Sequence, residues 1–143
     1  MNAPDTNLLV YAYNRNDPYH AAAKTYWQDA LNGTEPIGIP VLCLHGFIRI
    51  STGSYLGDHR LSIPEAVTFV NEWLKRPHIR ILYPGPKHWP ILEALATQSG
   101  AAGQVFTDAA IAAIAIEFGA VVHTYDNHFA RFPGLRWHNP LKP

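Results

Sequence analysis

Residues 104–129 read QVFTDAAIAAIAIEFGAVVHTYDNHF. The run from Asp108 to Glu117 is almost uninterruptedly apolar and long enough for a buried helix. Gly119 supplies the stop expected after a helix, and Ala120 to Thr124 reads as a buried strand. Helix, sharp turn and buried strand together are part of a parallel α/β unit. Two acids stand inside this apolar frame: Asp108 near the helix start and Asp126 just past the strand. A carboxylate so close to a core is costly unless it is protonated, hydrogen-bonded or metal-bound.

Outward from this stretch the same alternation continues. Leu8, Leu9 and Ala12 predict a short helix with Asp5 or Thr6 as its cap, and residues 14–18 form a loop. A helix is expected over 19–31, closed by Asn32-Gly33, then a strand over 37–39 between Pro36 and Pro40. Helices follow over 41–51 and 64–75, separated by a loop at 52–62. A strand over 79–83 and a helix over 87–98 come next, and a turn at 129–135 leads to a last short strand at 136–138. The expected fold class is α/β, one domain over residues 1–143 around a mostly parallel sheet.

Composition narrows the function classes. The 143 residues are 48% hydrophobic and 15% charged, which suits a compact globular chain. Eleven basic and eleven acidic residues give zero net charge, so no bulk positive field is available to attract polyanions. A local basic stripe or a bound metal can still do that work. Cys43 is the only cysteine, which excludes an intramolecular disulfide and a cysteine-based zinc site. The N-terminal MNAPDTNLLVYAYN has no basic n-region, and no apolar run approaches a membrane span. A cytoplasmic protein without membrane contact is the expectation.

Asp5 also follows a short segment that leads into a helix. In a parallel sheet the carboxyl ends of the strands share one edge, so Asp5, Asp108 and Asp126 can converge there. Each acid alone has an ordinary reading: a helix cap for Asp5, a helix-dipole partner for Asp108, a turn residue for Asp126. Jointly they make sense around a cation, and hard oxygen donors with room for water suit Mg²⁺ or Mn²⁺. Such a site supports phosphodiester hydrolysis, with Thr6, Thr107 and Thr124 orienting the acids or bound waters.

The ordered motifs carry a resemblance. Asp5-Thr6-Asn7-Leu8-Leu9-Val10-Tyr11-Ala12 resembles the D-x-N-x-L-x-Y-A opening of the PIN-domain family, in particular its VapC-type toxin ribonucleases. His20, Ala23 and Trp27 resemble the second-helix motif, and Phe47-Ile48-Arg49-Ile50 with Thr52 the third. Thr107-Asp108-Ala109, then Ile111-Ala112-Ala113, resembles the family's D-A-x-I-A-A helix. Thr124-x-Asp126, Phe129-x-Arg131-Phe132-x-Gly134-Leu135 and Asn139-Pro140 resemble the closing motif. The resemblance implies a three-layer sandwich, four to five mostly parallel strands with helices on both faces. It further implies a Mg²⁺- or Mn²⁺-dependent endoribonuclease that inhibits translation or growth as the toxin of a type II toxin–antitoxin pair. A VapB-type antitoxin, an RNA substrate and a homodimer are the implied partners. Asp5, Asp108 and Asp126 would be catalytic metal ligands, with Asn7 and Thr124 as polar supports.

One position departs from that pattern. Many family members carry glutamate immediately before the third-helix phenylalanine, where this chain has Gly46. The acidic quartet becomes a trio, which opens a second reading: a catalytically weakened PIN-fold module that binds RNA or a partner. His45 is one candidate to approach the vacated place; Glu117 lies about two and a half turns beyond Asp108 and faces elsewhere. Arg49 and Arg15 are candidate phosphate contacts. His20, His128, the four tryptophans and Cys43 are read as packing or surface residues. A phosphatase of the haloacid-dehalogenase type is disfavoured, because the residue two after Asp5 is Asn7.

Overall fold

The computed structural model describes residues 1–142. Five short parallel strands form one sheet: β1 (Asn2–Pro4), β2 (Ile37–Pro40), β3 (Ile79–Leu82), β4 (Val121–His123) and β5 (Trp137–His138). Their spatial order is β3-β2-β1-β4-β5. Asn2 pairs with both Ile37 and Val121, and Pro4 lies opposite His123. The chain moves outward from β1 through β2 to β3, then crosses back to β4 and β5. Right-handed crossovers travelling in opposite directions put their helices on opposite faces of the sheet. The first set is α1 (Thr6–Tyr13), α2 (His20–Asn32), α3 (Val41–Ser51) and α4 (Ile63–Leu74); the second is α5 (His88–Ser99) and α6 (Gln104–Glu117). The α/β sandwich with a parallel sheet is thus the observed architecture.

Local chemistry sets the elements. Ser62 and Glu65 form a reciprocal capping box at the start of α4, with Pro64 in its first turn. Between α3 and α4, a 3₁₀ segment, Ser54–His59, interrupts what the sequence presents as a loop. α6 is buried on nearly every side from Ala109 to Ala115. Its alanines let the helix approach its neighbours closely, and Ile111 and Ile114 fill the core. Gly119, at φ +66°, turns the chain sharply from α6 into β4, a conformation that side chains with a Cβ resist.

On the opposite layer, Trp27, Phe47 and Trp73 are fully enclosed. Trp27 and Trp73 meet edge to face at 5.2 Å, and Trp73 Nε1 donates to Tyr13 Oη at 2.8 Å. This aromatic block ties α1, α2, α3 and α4 together. Trp89, in contrast, is 61% exposed. Among the described residues, no helix is long and apolar enough to cross a membrane.

Candidate functional site

The reversal of direction between β1 and β4 makes a crevice outside their carboxyl ends, the usual ligand position in open α/β sheets. A cavity of about 310 Å³ opens there, lined by Asp5, Thr6, Asn7, Arg49, Thr107, Asp108 and Asp126 among others. Three distant parts of the sequence therefore deliver their acids to one place. The three acids reach this cavity together with Thr6, Asn7, Thr107 and Arg49, whereas Thr124 lies fully buried behind it.

Asp5 sits where β1 becomes α1. Its backbone N–H donates to His123 O at 2.8 Å, extending the β1–β4 ladder by one bond. Its Oδ1 accepts from the Thr6 N–H at 2.8 Å, so the residue also caps α1. Its Oδ2 accepts from the Thr124 hydroxyl at 2.8 Å. Thr124 Oγ1 in turn accepts from the Asp126 N–H at 2.9 Å. One buried threonine thereby fixes the separation of two acids on neighbouring strand ends.

Asp126 accepts from the His128 N–H at 2.8 Å, capping the 3₁₀ turn Asn127–Arg131. The turn and cap readings of Asp126 and Asp5 hold, and both side chains still face the cavity. Asp108 differs. α6 begins at Gln104, so Asp108 is the fifth helical residue, one position past the first turn in which the sequence placed it. A first-turn dipole partnership does not explain it. The acid instead stands at the rim where the buried part of α6 begins, with Ala109 fully enclosed behind it.

The electrostatics are those of a site short of positive charge. Burial raises the Asp5 pKa to about 6 despite two hydrogen bonds that lower it, and the Asp108 and Asp126 carboxylates raise it further. Burial, then Asp126, raises the Asp108 pKa, against the opposing pull of His128 and Arg131. Asp126 Oδ1 lies 3.2 Å from His128 Nδ1, an ion pair only when that imidazole is protonated. Asp5 and Asp108 have no basic side chain within ion-pair reach among the described residues.

The donor set fits a hard divalent cation: three carboxylates, flanking hydroxyls, and repulsion that positive charge would relieve. Among the described residues no three Asp, Glu, His or Cys side chains stand close enough to hold one metal ion directly between them. A Mg²⁺-type ion is held by one or two carboxylates and keeps several waters, so an open, wet site suits it better than a cage.

Gly46 faces this region, and its missing side chain has a structural reason. A Cβ there would stand 2.8 Å from both Thr6 Oγ1 and Thr6 Cγ2. The place where the family pattern expects a glutamate is filled by Thr6. His45 is exposed and does not line the cavity. Glu117 is equally remote: it accepts from the Gly85 and Lys87 N–H groups at 2.9 and 3.0 Å, at the other end of α6. Arg49 does line the cavity, with no carboxylate within ion-pair reach among the described residues. Arg15 does not; it lines a separate cavity between α2 and α4. His20 is a packing residue, its Nδ1 2.8 Å from Tyr11 O.

Comparisons with known proteins agree with this fold. The PIN domain family model matches residues 3–135. Ribonuclease VapC33 of Mycobacterium tuberculosis is 39% identical over 142 residues, covering 99% of each chain. Among solved structures, Mycobacterium tuberculosis VapC20, described as a Sarcin-Ricin loop cleaving toxin, superposes with a TM-score of 0.68 at 15% identity, covering 95% of this chain and 99% of that one. DNA-bound VapBC from Salmonella typhimurium gives a TM-score of 0.68 at 21% identity, covering 98% of each chain. The acid-lined crevice, the β3-β2-β1-β4-β5 sheet and the full-length similarity converge: the chain belongs to the PIN-domain family, in its VapC ribonuclease group.

Proposed function

We propose that this protein is a divalent-metal-dependent endoribonuclease, with Asp5, Asp108 and Asp126 as its metal-holding acids. The observation that carries this reading is the convergence of three carboxylates in one cavity, two of them without an ion-pair partner among the described residues. A Mg²⁺ or Mn²⁺ ion bound there supplies Lewis acidity toward a phosphodiester and acidifies water for attack. The chain's own residues supply the rest. Asp5 is immobilised by the Thr124 hydroxyl and the Thr6 N–H, so its carboxylate orientation is set before anything binds. Asp108 and Asp126 face it from α6 and from the segment after β4. Asn7 and Thr107, also in the cavity wall, offer polar atoms to waters around the acids. Arg49 is placed to pair with a phosphate oxygen, a contact that guanidinium geometry favours.

The wider role proposed is that of a toxin of a type II toxin–antitoxin pair, acting in the cytoplasm against translation or growth and neutralised by a VapB-type protein. The names of the relatives support it, since VapC33 is a named ribonuclease and the Salmonella structure is a VapBC complex. Exposed Tyr83, Trp89 and Phe118 on the α5–α6 side support self-association into a homodimer, which sedimentation at micromolar concentration reads directly. The test of function is sequencing of RNA ends after induced expression of wild type and Asp5→Ala. New 5′ ends at defined positions with wild type alone support the reading; identical end profiles contradict it.

A second reading keeps one specific observation on its side. Thr6 occupies the space of a fourth acid, so the site has three carboxylates at most. A PIN-fold module that binds RNA or a partner without cutting is the alternative. It gains if Asp108→Asn changes neither Mn²⁺ affinity nor growth arrest on expression.

A further inference from the structure

Three tyrosines gather near the acidic cavity: Tyr11 packs partly against the core, while Tyr19 and Tyr125 do not belong to it. Tyr11 lies one turn beyond Asn7 on the same face of α1, and Asn7 lines the cavity. Tyr125 separates Thr124 from Asp126. Tyr19 comes from the loop that enters α2 and is 37% exposed. The Tyr19 and Tyr125 rings are 4.3 Å apart, Tyr11 and Tyr19 5.5 Å, and Tyr11 and Tyr125 6.4 Å. The Tyr125 hydroxyl donates to the Tyr19 hydroxyl at 2.5 Å, which orients both rings. Burial, then Asp17 and the other two tyrosines, raises the Tyr11 pKa, with Asp5 the smallest contributor.

Resting on the ribonuclease reading above, we infer that Tyr11, Tyr19 and Tyr125 form a stacking platform for a base of single-stranded RNA next to the cleaved bond. Charge selects this occupant. The chain is neutral overall and its cavity is acidic, so a polyanionic strand gains little from long-range attraction. Stacking of bases on aromatic faces needs no positive field and tolerates any base. A platform next to the acids would hold the strand while the phosphate sits over them, and it favours splayed loops over duplex.

The test separates the platform from a merely structural latch and from the nuclease reading. Binding of a labelled oligo(A) and of its abasic counterpart is measured in the Asp108→Asn background with Mg²⁺. Added variants are Tyr19→Leu, Tyr125→Leu and the two Tyr→Phe changes. Oligo(A) affinity should fall about tenfold in each Leu variant and stay within about twofold in each Phe variant, which loses the hydroxyl contact but keeps the ring. The abasic strand should bind weakly to all of them. Equal losses in Leu and Phe variants would mean a latch and overturn the platform. Unchanged oligo(A) binding in the Leu variants would also overturn it and leave the face to a protein partner. RNA cleavage by the chain with wild-type Asp108 reports separately: tyrosine-dependent binding without any cleavage sinks the nuclease reading alone. Cleavage with unchanged KM in Tyr19→Leu and Tyr125→Leu sinks the platform alone.

Discussion

At Asp5, burial outweighs two hydrogen bonds, and the carboxyl titrates at about 6 instead of 3.8. A folded-state pKa above the unfolded value means that the folded protein holds the proton more tightly. The stabilising contribution is full below pH 3.8 and is lost as pH rises through about 6. The difference is on the order of 3 kcal/mol. Urea denaturation of metal-free protein should show stability falling between about pH 4 and pH 7, and Asp5→Asn should flatten that slope. Added Mn²⁺ should restore stability at the higher pH in wild type and not in the variant, because ionised Asp5 is the form a cation binds. A second residue-scale prediction concerns Gly46. Its Cβ position collides with the β-branched side chain of Thr6, which has few rotamers to escape into. Gly46→Glu should cost ~2 kcal/mol of unfolding free energy, and Thr6→Ala should recover part of it in the double variant. The absence of the glutamate is visible in the sequence. The occupant of its place is not, because Thr6 and Gly46 meet only after α1 and α3 pack.

Among the elements, α6 does two jobs at its two ends. Its first turns carry Thr107 and Asp108 to the cavity, and its last residue, Glu117, holds the loop after β3 through the Gly85 and Lys87 N–H groups. Gly85 has no side chain because the Glu117 carboxylate fills that space. Glu117→Ala should therefore destabilise the protein by about 1–3 kcal/mol in thermal or urea melts while leaving Mn²⁺ affinity unchanged. Most elements were legible from periodicity and from Gly and Pro punctuation; the helix Val41–Ser51 matches its expectation at both ends. The start of α6 was not, because Gly103 enters it at φ +62° with no capping side chain to mark the boundary. That shift of one residue moves Asp108 out of the first turn, where it looked like a dipole partner. The 3₁₀ turns at 54–59 and 127–131 were hidden for a similar reason, since short polar segments carry no hydrophobic period.

For the whole molecule, strand order decides where chemistry can happen. Helical crossovers run both ways from the β1–β4 pair, so the segments that follow these two strands diverge and leave, just beyond the paired carboxyl ends, the crevice that the acids line. The convergence of Asp5 and Asp126 could be anticipated from strand-end positions, and Asp108 from its place ahead of a buried helix. The relay through Thr124 needed the folded register, since it links residues 119 apart in sequence. So did the tyrosine cluster, whose members come from three separate segments. The central claim is that three acids, without a fourth, hold a divalent ion and cut RNA. It is tested most directly by incubating purified, antitoxin-free protein with structured RNA while Mg²⁺ or Mn²⁺ is titrated, beside Asp108→Asn. Cleavage at discrete positions that rises with metal, is abolished by chelation and falls at least about a hundredfold in Asp108→Asn is the expected result. Intact RNA across the whole titration, or equal cleavage by the two proteins, would contradict it.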